Sequence, residues 1–303
     1  MLFRFSKRNH ELAEAMINGE IEASNLWSDA WRRLKKNTFA MVALCAVFFL
    51  IILAIFAPFF APYDPYSQDL SRIAEPPTPE HICGTDSVGR DLLSRIIYGT
   101  RISLLVGVVC EAIAVPLGLI FGSLAGYFGG WVDSLISRVI EILGSFPFVL
   151  FAICIMFILG TGILSVFVAI GIIGWTWLAR MIRGQIMQLK EKEFVEAARA
   201  AGASDMQIIF RHLIPNCIST IIVVITLDIP GDIMLEATLS FLGLGAQPPQ
   251  ASWGSIISEA RKFIRQNPWF SIYPGIAIMI TVLAFNILGD GVRDALDPRL
   301  KNL

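Results

Sequence analysis

The chain has 303 residues, of which 55% are hydrophobic and only 16% charged, with a net charge of −1 and a mean hydropathy of +0.66. A water-soluble domain carries about 25% charged residues, so this composition belongs to a chain solvated largely by lipid. The near-zero net charge excludes a globally basic nucleic-acid binder. Five cysteines without CxxC spacing and three dispersed histidines (His10, His81, His212) argue against a disulfide framework and against a metal site.

The first 37 residues are polar and charged, and the apolar run after them is too long for the roughly 7–15-residue core of a cleavable signal. It is expected to be a retained anchor. A helix needs about 20 residues to cross a bilayer core of roughly 30 Å. Six runs approach or exceed that length: 38–61, 102–128, 140–160, 163–179, 213–242 and 271–288. The third and fourth are split at Gly160-Thr161-Gly162, because together they are far too long for one crossing. Six spans put both termini on one side. If that side is the cytoplasm, 17 basic residues lie inside and 7 outside, the bias of the positive-inside rule. Gly118, Gly122 and Gly126 share one face of span two, where small residues let helix backbones approach. That face serves either bundle packing or a sliding contact.

The segment between spans four and five, Arg180 to His212, is polar and basic on balance. It reads as a helix over 185–201, a break at Gly202, where a sharp turn needs conformational freedom, and a second helix over 204–211 capped by Ser204. Within it, Glu196-Ala197-Ala198 is followed after three residues by Gly202 and then by Pro215. This resembles the EAA loop of bacterial ABC importer permeases, whose pattern is EAA-x3-G-x9-I-x-L-P. His212 and Ile214 replace the usual Ile and Leu, and Arg211-His212-Leu213-Ile214-Pro215-Asn216 is similar to the RH-x-x-PN form of the peptide-permease branch. The alanines make a thin helix face suited to a partner's groove.

Further motifs carry the same resemblance. Gly84-Thr85-Asp86, Gly89-Arg90-Asp91, Ser94-Arg95 and Tyr98-Gly99 resemble the signature before span two of dipeptide and oligopeptide permeases. Phe241 to Gly245, Gln247-Pro248-Pro249 and Trp253-Gly254 resemble the outer loop after span five, and Gly289 to Pro298 the C-terminal signature. Leu26-Trp27-x-Asp29-Ala30-x-Arg32-Arg33 is similar to the amphipathic start of an oligopeptide C-type permease. Leu92, Leu93, Ile96 and Ile97 form one apolar face, expected to lie as a helix at the outer interface. Asp86, Arg90, Asp91 and Arg95 either pair with one another or contact substrate or a partner.

Asp228, Asp232 and Glu236 follow at i, i+4 and i+8 on one face of span five. Charges in a bilayer core are costly, so this face either lines a path that attracts the cationic end of a peptide, or is paired internally or interfacial at Glu236. Single acids at Glu111 and Glu141 are expected to be paired structurally.

The expectation is therefore an all-α polytopic membrane protein of the type I ABC importer permease fold, with six transmembrane helices and both termini cytoplasmic. Its parts are a cytoplasmic amphipathic segment (1–37), a first transmembrane helix (38–61), an outer loop with an interfacial helix (62–101) and a five-helix core (102–303) carrying the coupling loop 180–212. The resemblance implies a bacterial inner-membrane subunit that imports peptides, oligopeptides foremost, with nickel or glutathione as the alternative cargo. It implies a second homologous permease, two ATP-binding subunits that hold ATP and Mg²⁺, and an external peptide-binding protein. ATPase coupling is expected at Glu196, Ala197, Ala198, Gly202 and Pro215. The chain has no P-loop and no catalytic or metal constellation, so no cofactor is expected in it and it is expected to be non-catalytic. An ion-gradient transporter is the competing class; it would suit the acids but leave the loop without a role.

Overall fold

The computed structural model describes residues 26–297, and no strand occurs among them. The stretch before Leu26 and the end of the C-terminal signature at Pro298 lie outside the described residues, as do Arg4, Lys7, Arg8, Arg299 and Lys301 of the charge count. A short amphipathic helix α1 (Leu26–Lys36) leads into α2 (Thr38–Ile55), whose start is capped by the Asn37 side chain accepting from the Ala40 amide at 3.1 Å. A single turn, α3 (Ala57–Phe60), ends the first crossing.

Next comes α4 (Leu92–Phe128), 37 residues in one piece. The expected separate interfacial helix is corrected here, because residues 92–101 are its first turns. Asp91 caps it by accepting from the Ser94 amide, and no breaker follows before Pro116. The apolar face of those turns points inward: Leu92 is fully buried with Cys83, Ile256 and Phe270, and Leu93 and Ile96 pack against that cluster.

The third crossing also departs from a single straight span. α5 (Gly130–Gly144) and α6 (Phe148–Leu159) meet at 90°. Pro147 excludes helical geometry at Phe146, which breaks the run between Gly144 and Phe148. At 12 residues α6 is about 18 Å long, too short to cross alone. Gly160 and Gly162, both at positive φ, then make the tight turn into α7 (Ile163–Leu189). The fifth crossing is α10 (Ile214–Phe241) and the last is α12 (Trp269–Leu296). Among the described residues five helices are long and apolar enough to span, and the bent pair, counted as one crossing, makes six. Many large apolar side chains face outward, Phe157 being 91% exposed, as expected where lipid is the solvent.

The bundle is drawn together by α4 against α7. A Cβ on Gly118 would lie 2.9 Å from the Leu178 side chain, one on Gly122 2.6 Å from the Ala179 carbonyl oxygen, and one on Gly126 2.7 Å from that of Arg183. Lipid tails are as apolar as leucine, so close backbone packing is what drives such helices together. On the other side, Val47 and Leu50 of α2, Leu104 of α4, Ile233 of α10 and Phe285 and Leu288 of α12 form one core. Gly122→Leu is expected to cost about 1–3 kcal/mol by overpacking and to lower the melting temperature in detergent by several degrees. Gly184→Leu, where a Cβ meets nothing within 4 Å, should leave it unchanged in the same thermal scan.

Candidate functional site

The loop that follows α7 is built to be rigid. The expected helix over 185–201 is divided: residues through Leu189 belong to α7, and a turn at Lys190–Lys192 precedes α8 (Glu193–Ala200). Gly202 ends α8 at φ +84°. Its amide donates to the Arg199 carbonyl at 3.0 Å and that of Ala203 to the Ala198 carbonyl at 3.1 Å, the paired bonds of a Schellman stop. Ser204 then caps α9 (Asp205–Gln207) through a reciprocal box with Gln207.

Between α9 and α10 the chain takes one π-helical turn, Ile208–Leu213, and the Ile214 amide donates to the Ile209 carbonyl. Proline at 215 supplies no amide, and its ring would clash with the carbonyl four residues back. The wider π turn relieves that clash. The Asn216 side-chain amide donates to the His212 carbonyl at 2.6 Å, which gives the RH-x-x-PN string a structural role.

α8 has two faces. Val195 and Ala198 are buried against Ile182 and Ile186 of α7, Ile208 and Ile209 of the π turn, and Cys217 and Ile221 of α10. Glu196 and Ala197 are exposed on the opposite side, together with Gly202 and Pro215. The five coupling residues expected from the sequence thus share one loop, but Ala198 faces inward as its anchor. Tyr127, at the end of α4, donates to Asp205 at 2.6 Å, and Gln185 donates to Thr220 at 2.5 Å. A bowl of about 440 Å³ opens beside α8, lined by Ala201, Gly202, Ala203, Gln207, Arg211 and His212. Sequence reasoning missed this bowl. Its signal was the i, i+4 spacing of Gln207 and Arg211 above the glycine, of which only Arg211 lies in the π turn.

The three acids of span five divide. Glu236 is fully buried and accepts from the Ser240 hydroxyl at 2.5 Å. Ser240 in turn accepts from the Ala246 amide at 3.1 Å and from the Ser252 hydroxyl at 3.2 Å. Glu236 therefore anchors the loop after α10. Asp232 and Asp228 are half-buried one and two turns deeper. Glu111 of α4 lies within electrostatic range of both, and no cation pairs with these three among the described residues. Glu141 pairs with Arg138 at 3.0 Å.

On the opposite face of the bundle the outer loop is closed by a buried ionic clasp. Arg95 donates to Asp86 and, in a two-pronged contact at 2.7 and 3.0 Å, to Glu259 of α11 (Trp253–Ala260). Arg90 donates to the same two carboxylates at 2.5 and 3.1 Å. Asp91 takes His81 Nδ1 at 2.9 Å while capping α4. Three charges of the outer signature, Asp86, Arg90 and Arg95, are thus paired structurally. Their partner Glu259 lies about 165 residues away, and no local pattern could name it.

A family model described as binding-protein-dependent transport system inner membrane component matches residues 118–302. One described as the N-terminal TM domain of oligopeptide transport permease C matches residues 25–77. The chain is 44% identical over 291 residues to the oligopeptide transport system permease protein OppC of Haemophilus influenzae, across 95% of this chain and 94% of that one. It is 44% identical over 274 residues to the dipeptide transport system permease protein DppC of Bacillus subtilis (90% and 86%). It is 42% identical over 300 residues to the glutathione transport system permease protein GsiD of Pectobacterium atrosepticum (99% and 100%). An inward-facing crystal form of the MetNI methionine ABC transporter superposes with a TM-score of 0.57 at 20% identity, over 68% of this chain and 98% of that one. The fold is that of type I ABC importer permeases.

Arg95→Met leaves Asp86 and Glu259 short of a buried cation and is expected to destabilise by about 3–5 kcal/mol, read as a lowered melting temperature. Replacing Asp86, Arg90, Arg95 and Glu259 together by apolar residues removes every charge of the clasp and should recover part of the loss. Burial and the Asp91 carboxylate push the Cys83 thiol up to about 11. A raised thiol pKa means little thiolate at neutral pH. Cys83 should therefore resist a water-soluble maleimide at pH 7.5, and its rate should rise roughly tenfold per pH unit toward pH 11.

Proposed function

Because the chain belongs to the inner membrane components of binding-protein-dependent transport systems, as a multi-pass permease of ABC importers of the peptide and glutathione branch, we propose that it is half of a translocation pathway for peptides, oligopeptides foremost, driven by partner ATPases. The observation that carries this reading is the two-faced α8, anchored inward by Val195 and Ala198 and presenting Glu196, Ala197 and Gly202 outward.

In this reading both termini and the α8 loop are cytoplasmic, in keeping with the 17 to 7 basic bias, and the membrane is the bacterial inner membrane. A second related permease completes the pathway. Two ATP-binding subunits hold ATP and Mg²⁺ and seat α8, with a side chain of theirs entering the bowl beside Gly202. An external binding protein delivers cargo to the face closed by the Arg95 clasp. Because α8 shares one packed cluster with α7 and α10, closure of the ATPases moves both helices together, and the path opens outward. Pro215 contributes by holding α10 in register with the loop.

Asp228 and Asp232 line the path and attract the cationic amino end of the peptide, with Glu111 across from them. Glu236 serves them as a structural anchor at the outer end of the same helix face. Glutathione is the second cargo reading, favoured by the full-length match to a glutathione permease.

The test is uptake in proteoliposomes holding the complete complex. Gly202→Val forces a branched residue into left-handed geometry at a strain of about 1–3 kcal/mol. Peptide uptake and coupled ATP hydrolysis are expected to fall about tenfold or more, while the melting temperature falls no further than it does for Gly122→Leu. Unchanged coupling and ATPase co-purification in both Gly202→Val and Glu196→Lys would sink the loop assignment. Asp228→Asn with Asp232→Asn should raise the KM for peptides with a free amino terminus on the order of tenfold, and leave N-acetylated peptides unaffected. Equal effects on both would remove the acids from the path.

A further inference from the structure

The start of the described chain builds a site that transport does not use. On α1, Ala30 and Leu34 are buried against Ala295 and the end of α12, whereas Trp27 and Trp31 remain 49% and 46% exposed along one edge. Between that edge and the bundle lies a cavity of about 160 Å³. Every described residue lining it is apolar, Trp27, Trp31 and Leu34 on one wall and Ile222, Val292 and Leu296 on the other. Ile222 sits eight residues into α10, about 12 Å from its start, within the apolar run 213–242 of the fifth span. An all-apolar slot at that depth offers water no hydrogen-bonding partner but accommodates a run of methylenes.

Charge borders the slot on one side. α1 carries Arg32, Arg33, Lys35 and Lys36 against the acid Asp29. Arg32 is held by Asp29 at 2.5 Å and Arg33 by the Asp297 carbonyl at 3.1 Å. Lys35 and Lys36 stay exposed with no carboxylate partner among the described residues, and the Lys35 ammonium lies 5.1 Å from the Trp31 ring centre. Lys35 follows Trp27 and Trp31 at i+8 and i+4, so the cation stands at the end of the aromatic edge. Tryptophan is at home at the boundary of headgroup and hydrocarbon, and clustered basic residues there attract anionic lipid.

We propose that α1, with the adjoining ends of α10 and α12, seats one anionic glycerophospholipid, its acyl chain in the slot between the two tryptophans and Ile222 and its phosphate at Lys35 and Lys36. The lipid would complete the packing of α1 on α12 and bind the start of the chain to the membrane surface. Placement in the inner leaflet rests on the cytoplasmic orientation proposed above; the lipid preference itself does not.

The test uses the full chain, purified in its complex, in nanodiscs with acyl-brominated phosphatidylglycerol or acyl-brominated phosphatidylcholine at matched fractions. Bromine in the slot quenches Trp27 and Trp31, whose share of the fluorescence is isolated by comparison with Trp27→Phe/Trp31→Phe. Half-maximal quenching is expected at about tenfold less phosphatidylglycerol than phosphatidylcholine. Lys35→Gln/Lys36→Gln should abolish that preference while keeping the residual quenching common to both lipids. Equal midpoints for the two lipids in the unaltered protein would overturn the proposal, and so would a preference that survives the lysine replacements. Millimolar inorganic phosphate should not reverse the quenching, and reversal would mark a phosphate site and count against the lipid. Orientation is read separately, by labelling Ser28→Cys with an impermeant maleimide in sealed vesicles, so either reading can fail alone.

Discussion

The close approach of α4 and α7 governs the rest of the molecule. In lipid there is no hydrophobic drive between helices, and association depends on how much backbone can be brought into contact. Gly118, Gly122 and Gly126 present a groove in which a Cβ would fall below 3 Å from Leu178, Ala179 and Arg183. The spacing admits no slack for sliding at these positions, which favours a rigid pair over a moving contact. The Arg183 side chain adds a two-pronged bond to Asp133 of α5 at 2.5 Å, so the bent third crossing is tied to the same pair.

Rigidity at that contact is useful because α7 runs on into the loop. Ile182 and Ile186, one turn apart near its end, form the floor on which Val195 and Ala198 sit. A short helix of eight residues would be marginal by itself. Here it is held by packing on one side and by a Schellman stop, a capping box and the Tyr127–Asp205 bond around it. Force applied to its exposed face passes into α7 and α10 because the buried face has no freedom to yield.

The other end of the bundle is held by charge. Asp86, Arg90, Arg95 and Glu259 are balanced two against two, and all but Glu259 are essentially removed from solvent. Buried ion pairs add little net stability against an apolar alternative, but breaking one is costly. Such a clasp therefore specifies one arrangement of the outer loop over α11, where Trp253 Nε1 also donates to the Ile96 carbonyl at 3.1 Å. Together the glycine groove and the clasp fix the two ends of α4.

The amino-acid sequence by itself determined the solvent, the class and the location of the loop. Long apolar runs can only be spanning helices where backbone groups must be satisfied internally, and the spacing Glu196-Ala197-Ala198, Gly202, Pro215 is a local pattern that does not depend on distant contacts. It also located the Gly160–Gly162 turn and the Ser204 cap. Only the tertiary structure decided that residues 92–101 extend span two, that the third crossing bends at Phe146-Pro147, and that Ala198 faces inward while Glu196 faces out. The same holds for separating Glu236 from Asp228 and Asp232: all three lie on one helix face, but Ser240 and the folded-back Ser252 reach only the last. Helical periodicity places residues on a face. What that face meets is set by partners far along the chain, such as Glu259 for Arg95, and those contacts form only when the helices pack.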